Sequence, residues 1–104
     1  ALEIVTELKY KNCDLILCLS HLGFEYKNEP NKISDRKLAQ LTSGIDVIIG
    51  GHTHTFMEKP VFEKDKDGNE VIIHQTGCYG VNLGRIDLVF DKGKPLGNGR
   101  ILSV

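Results

Sequence analysis

Leu15-Ile16-Leu17-Cys18-Leu19-Ser20-His21 and, further along, Asp46-Val47-Ile48-Ile49-Gly50-Gly51-His52-Thr53-His54 decide the fold of this chain. Each is a short, continuously apolar run that stops abruptly at small polar, glycine and histidine residues. Runs of this length and composition read as strands covered on both faces, as in a parallel sheet. They place one strand over residues 14–20 and another over 46–49. Between them, residues 24–32 are polar and contain Asn28, Pro30 and Asn31, a surface loop. Ser34 then stands as an N-cap, with Ile33 and Leu38 at the spacing of a hydrophobic staple, Leu41 continuing the apolar stripe and Gly44 as the C′ residue. Strand, helix, strand with short links is a βαβ unit, so the two strands are expected as parallel neighbours.

Outward from this unit, Leu2, Ile4, Val5 and Leu8 recur at helical steps over the first dozen residues, and the helix they define starts without a capping residue before it. Beyond Thr55, Pro60-Val61-Phe62 and Val71-Ile72-Ile73 flank Lys64-Asp65-Lys66-Asp67-Gly68-Asn69, a hairpin signal with an Asp-Gly turn and a solvated tip. A last strand over 84–90 alternates Ile86, Leu88 and Phe90 with Arg85, Asp87 and Val89, and the Gly- and Lys-rich tail from Asp91 is expected to fray. The fold class is α/β: a mixed β-sheet with flanking helices, parallel in its first half and antiparallel in its second.

Composition narrows the function. The 104 residues make one domain, long enough to bury roughly two-thirds of the unfolded surface. Hydrophobic residues at 40% and charged residues at 26% describe a globular chain, not a disordered tail. Thirteen Lys and Arg against fourteen Asp and Glu leave a net charge of −1, which argues against nucleic acid as a partner. The run 15–19 is far too short for a membrane span, and the mixed polar and apolar opening residues do not read as a signal peptide. Cys13, Cys18 and Cys78 show neither a disulfide framework nor metal-ligand spacing, so they do not reveal the redox compartment; Cys18, inside an apolar run, reads as a small buried hydrophobe.

Three of the four histidines sit just past the carboxyl ends of the two parallel strands: His21, His52 and His54. Ligands gather at that edge of an open α/β sheet because loops from neighbouring strands converge there. A single loop histidine carries no such meaning. Three at one edge, flanked by Gly23, Gly50 and Gly51, point to metal ligands, since imidazole is neutral near pH 7 and binds zinc, manganese, iron and nickel. His74, in the run 71–76, reads as a packing or strand-surface residue. Asp35 suits the first turn of its helix through the dipole, Asp14 and Asp46 read as turn or cap residues, and Tyr79 either borders a pocket or packs.

Leu-Ser-His-Leu-Gly at 19–23 and Gly-Ile-Asp-Val-Ile-Ile-Gly-Gly-His-Thr-His-Thr at 44–55 resemble the calcineurin-like metallophosphoesterases, in the branch of the 5′-nucleotidases and 2′,3′-cyclic phosphodiesterases. Gln75-Thr76-Gly77-Cys78-Tyr79-Gly80 and Leu83-Gly84-Arg85-Ile86 resemble the end of that catalytic domain. The resemblance implies an αββα sandwich with a two-metal site at the strand ends. His21 and His52 would be ligands of one divalent ion and His54 a ligand of the other, the ions being zinc, manganese, iron or calcium. It implies hydrolysis of phosphate monoesters, nucleoside 5′-monophosphates above all, and a periplasmic or cell-surface setting. The family also uses an early Asp-x-His, a bridging Asp and an Asn-His element that protonates the leaving group, and none of these motifs occurs here. Residues 1–104 are therefore expected to be the carboxyl-terminal portion of a catalytic domain, with no catalytic residue of their own, weak metal binding when alone and self-association through an exposed sheet edge. An inert α/β module or loose metal-binding scaffold is the alternative function, and a metal-dependent phosphodiesterase is a further one.

Overall fold

The computed structural model describes the backbone of residues 1–91 and 94–103 and the side chains of residues 1–90. Two helices and six strands follow in the order α1 (Leu2–Tyr10), β1 (Leu17–Leu19), α2 (Asp35–Leu41), β2 (Val47–Ile49), β3 (Val61–Lys64), β4 (Glu70–His74), β5 (Asn82–Asp91) and β6 (Lys94–Ser103). The first four strands form one mixed sheet in the order β1-β2-β4-β3, and β5 and β6 form a separate antiparallel pair. The α/β class expected from the sequence is the one observed. The terminal strands pair with each other as a second sheet, in keeping with the two sheets of the αββα sandwich that the resemblance implies.

β1 and β2 are parallel neighbours, as the βαβ pattern predicts, with Leu17, Cys18 and Leu19 opposite Val47, Ile48 and Ile49. β4 adds a third parallel strand, Ile49 lying opposite His74. β3 closes the sheet antiparallel to β4 through the expected hairpin. At its turn Gly68 has φ +84°, a conformation that favours glycine. The tip is not wholly solvated: Asp65 is buried, and its carboxylate accepts the N–H groups of Asp67 and Asn69. The Lys66 N–H donates to the Thr42 carbonyl at 3.0 Å, fastening the tip to the end of α2.

Side chains alternate across the strands. Val5, Ile16, Ala39, Ile45, Ile48, Val71 and Ile73 form the core beneath the helices, with Leu8, Cys18, Phe24 and Leu38 packed against it. The opposite face is uneven. Val47 and Ile72 are buried, whereas Leu17 is 51% and Leu19 79% exposed. β1 is therefore covered on one face only, contrary to the expectation for residues 14–20, and its regular part is shorter. β5 stands over part of this second face across an open cleft of about 440 Å³, lined by Leu17, Val47 and Ile49 on one side and Gly84, Ile86 and Leu88 on the other. The inward residues of β5 thus match the predicted alternation up to Leu88, while Phe90 is exposed.

The ends of elements show how local chemistry operates. Ser34 caps α2, its side chain accepting the Lys37 N–H, but Ile33 is exposed. α2 stops at Leu41, with Thr42 extended; Gly44, at φ +91°, belongs to the following turn and is not the C′ residue. In α1 only Val5 is buried and Leu8 half-buried, so Leu2 and Ile4 do not join the core. Asp46 does more than punctuate a turn. Its carboxylate accepts the Ile16 N–H at 2.9 Å, joining the starts of β1 and β2, and burial pushes its carboxyl above the ordinary range. Arg36 links α2 to β3 through Glu63 at 2.9 Å and reaches Glu25 at 3.4 Å. The tail expected to fray pairs as β6, Asn82 opposite Ser103 and Asp91 opposite Lys94; Lys92, Gly93 and Val104 lie outside the described residues.

Ile48 is fully buried at the centre of the helix-covered face. Ile48→Ala is expected to lower the unfolding free energy by about 2–5 kcal/mol, measured by urea denaturation with an unchanged m-value.

Candidate functional site

The parallel ladder continues one residue past each strand. The Ser20 N–H donates to the Ile49 carbonyl and the Gly50 N–H to the His74 carbonyl, both at 2.9 Å. Three chain segments thereby leave the sheet at one level: Ser20-His21, Gly50 to Thr55, and Gln75-Thr76. The expected convergence of loops at this edge is observed.

His21 and His52 come together. Their ring centroids are 5.1 Å apart with the planes at 71°, and both side chains are exposed. The two rings stand side by side at this edge. His54 turns elsewhere, its ring 6.0 Å from that of Tyr79. Among the described residues no group of three or more His, Cys, Asp or Glu side chains converges. The donor set fits two of the ligands of one ion and, with His54, one ligand of another. It does not close either site. Tyr79 is 91% exposed with φ +63°, so it borders the loop and is not a packing residue. His74 is buried with Nε2 3.1 Å from the Met57 carbonyl oxygen, a packing histidine as expected.

Two buried polar side chains support the loops, and the sequence singled out neither for this purpose. Asp35, fully buried at the start of α2, accepts the Ser20 hydroxyl at 2.5 Å through Oδ1, and that hydroxyl accepts the Leu22 N–H. Its other oxygen, Oδ2, has no hydrogen-bond partner among the described residues and faces Gly50. A Cβ at position 50 would strike that carboxylate, so the close approach requires glycine. Burial pushes the Asp35 carboxyl upward, while the Ser20 hydrogen bond works in the opposite sense. Asp35 thus serves more than the helix dipole. On the other side, Gln75 Nε2 donates to the Gly51 carbonyl at 3.1 Å, and Gln75 Oε1 accepts the Thr55 N–H at 2.6 Å. The Thr53 hydroxyl accepts the Phe24 N–H and lies within hydrogen-bond distance of Thr55 Oγ1 and Gln75 Oε1, tying the first loop to the second. A polar residue ending the apolar run Val71-Ile72-Ile73 was the available sequence signal for Gln75; nothing in the pattern marks Asp35 as buried.

Cys18 is half-buried, with its thiol pushed upward chiefly by burial and then by the Asp35 charge, as befits a packing residue. Cys13 and Cys78 are also free thiols.

A mixed four-stranded sheet with histidine loops at its carboxyl edge is an α/β architecture, and comparison with known proteins narrows it. A trifunctional nucleotide phosphoesterase of Bacillus subtilis is 39% identical over 77 residues, covering 74% of this chain and 5% of its own length. The rat 5′-nucleotidase is 32% identical over 100 residues, covering 84% of this chain and 16% of its own. Among solved structures, the 5′-nucleotidase precursor of Thermus thermophilus superposes with a TM-score of 0.81 at 32% identity, over 97% of this chain and 21% of that one. No family model matches the chain. The chain is a relative of the 5′-nucleotidases, the branch of the calcineurin-like metallophosphoesterases that its motifs resemble. It spans about a fifth or less of the length of these proteins.

The raised Asp35 carboxyl makes stability pH-dependent. The folded state binds this proton more tightly than the unfolded chain, so the contribution is fully present below the ordinary aspartate pKa and lost as pH rises through the folded one. Relative to Asp35→Asn, which does not titrate, the unsubstituted chain is expected to lose stability as pH rises from acid toward neutral. Urea unfolding of both at a series of pH values checks this, and a constant difference would contradict it.

Proposed function

We propose that the protein carrying this chain hydrolyses phosphate monoesters, nucleoside 5′-monophosphates first among them, with the help of two divalent metal ions. Residues 1–104 are its share of the carboxyl-terminal part of the catalytic domain. His21 and His52 ligate one ion and His54 the other. The observation that carries this reading is the pairing of the His21 and His52 rings at level strand ends. The nucleotidase relatives support the substrate class.

When bound, such an ion pair offsets the charge developing on the phosphoryl oxygens and activates the attacking water. The chain's own part is to present neutral imidazole nitrogens from backbone that cannot drift, because Asp35 and Gln75 fix the loops from below. No residue of this chain is assigned as the acid that protonates the leaving group. The chain alone supplies three imidazoles and no bridging carboxylate, so it is proposed to bind metal weakly and to be inactive by itself. The inert-module alternative applies to that isolated state. A phosphodiesterase acting on nucleic acid is disfavoured by the net charge of −1. Among the described residues no helix is long and apolar enough to cross a membrane; a periplasmic or cell-surface setting is proposed from the resemblance alone.

Phosphate release from a nucleoside 5′-monophosphate, with manganese or zinc supplied, tests the proposal. His52→Ala in the full-length protein is expected to lower kcat by more than about 100-fold, and the 104-residue chain alone to show no turnover. Unchanged turnover in His52→Ala would end the assignment.

The outward faces of Leu17, Leu19 and Ile49, with the outer edge of β1, also favour self-association of the isolated chain. Sedimentation velocity is expected to show oligomers whose share grows with concentration. A clean monomer throughout would refute this.

A further inference from the structure

Gln75 follows β4 directly and is 2% exposed. Its one amide reaches both ends of the loop that bears His52 and His54, donating to the Gly51 carbonyl and accepting the Thr55 N–H, with the Thr53 hydroxyl 3.3 Å from the same oxygen. The loop needs such a hold. His52 has φ +72° and His54 φ +53°, so two non-glycine residues occupy left-handed backbone separated by one residue. Conformations of this kind persist only where the surroundings over-determine them.

We propose that Gln75 is the positioning residue of the histidine loop: it sets the spacing and direction of the His52 and His54 imidazoles without touching a metal itself. This rests on the reading of those histidines as ligands. The side chain suits the task because the two ends of the loop make opposite demands. Gly51 offers a carbonyl and needs a donor, whereas Thr55 offers an N–H and needs an acceptor. A primary amide supplies both from one rigid group. Glutamate would meet the Gly51 carbonyl with an acceptor, and asparagine is one methylene shorter.

The test compares the full-length protein with its Gln75→Met and Gln75→Glu variants, and with Gln40→Met on the exposed side of α2 as a control. Cobalt(II) is the probe. Affinity is read by titration and ligand geometry by visible absorption, while hydrogen exchange of the Thr55 amide is followed in the metal-free protein. Gln75→Met is expected to weaken cobalt binding by roughly 10- to 100-fold, alter the spectrum and speed Thr55 exchange. The Ile72 amide, bonded to the Asp46 carbonyl in the ladder, should keep its protection. Gln75→Glu, which retains the acceptor for Thr55, should fall between Gln75→Met and the unsubstituted protein, and Gln40→Met should match the latter. Wild-type affinity, spectrum and Thr55 exchange in Gln75→Met would overturn the proposal. If Gln75→Met does not fold, Gln75→Glu decides: intermediate values support the role and wild-type values refute it. If the unsubstituted protein takes up no cobalt, the ligand assignment has failed, and Thr55 exchange alone then decides whether Gln75 holds the loop.

Discussion

The in-register parallel pairing of Leu19, Ile49 and His74 is the constraint on which the rest of the structure depends. Side chains alternate with a period of two along each strand, so this register aligns Cys18, Ile48 and Ile73 beneath the helices. The same register ends the strands level with one another. Core and site are therefore consequences of a single alignment. A slip of one residue in any of the three strands would take an apolar side chain out of the core and displace one loop relative to its neighbours. The Asp46 carboxylate, holding the Ile16 N–H, secures the alignment from the opposite end.

Above the ladder, support for the loops is polar and buried. Asp35 holds the residue before His21, and Gln75 spans the loop bearing His52 and His54. Gly50 passes between the two, where a side chain would collide with the carboxylate. Asp35 Oδ2, without a partner among the described residues, is a cost that the fold carries at this place. The network rigidifies the loop that contains two left-handed non-glycine residues, His52 and His54.

Much of this was legible in the sequence because the signals were local. The apolar runs 15–19 and 46–49 announced the parallel pair, Ser34 the helix start, and Asp67-Gly68 the hairpin turn. The histidines drew attention through their place after the strands and their glycine neighbours. What escaped was non-local. Nothing in the run 14–20 tells that Leu17 and Leu19 would be uncovered on one face, since that depends on what lies across the sheet. Gly44 resembled a helix terminator until Thr42, extended two residues earlier, ended the helix. The Gly- and Lys-rich tail lacked strand propensity but had β5 to pair with. Asp35 and Gln75 gave no periodic signal, because their partners, Ser20 and the Gly51–Thr55 loop, lie far away along the chain.

Thr53 carries a consequence of its own. A hydroxyl has two lone pairs and one proton. Here it takes the Phe24 N–H on one lone pair, and its remaining neighbours are Thr55 Oγ1 and Gln75 Oε1. The glutamine oxygen can only accept, so the Thr53 proton must go there and Thr55 must supply its own proton to Thr53. The donors run one way, from Thr55 through Thr53 to Gln75, with no spare capacity at the middle member. Its methyl sits where a Cβ on Gly23 would approach within 2.7 Å, so glycine and threonine interlock across the two loops. Valine would match the shape and break the relay, whereas serine would keep the relay and leave a gap beside the glycine.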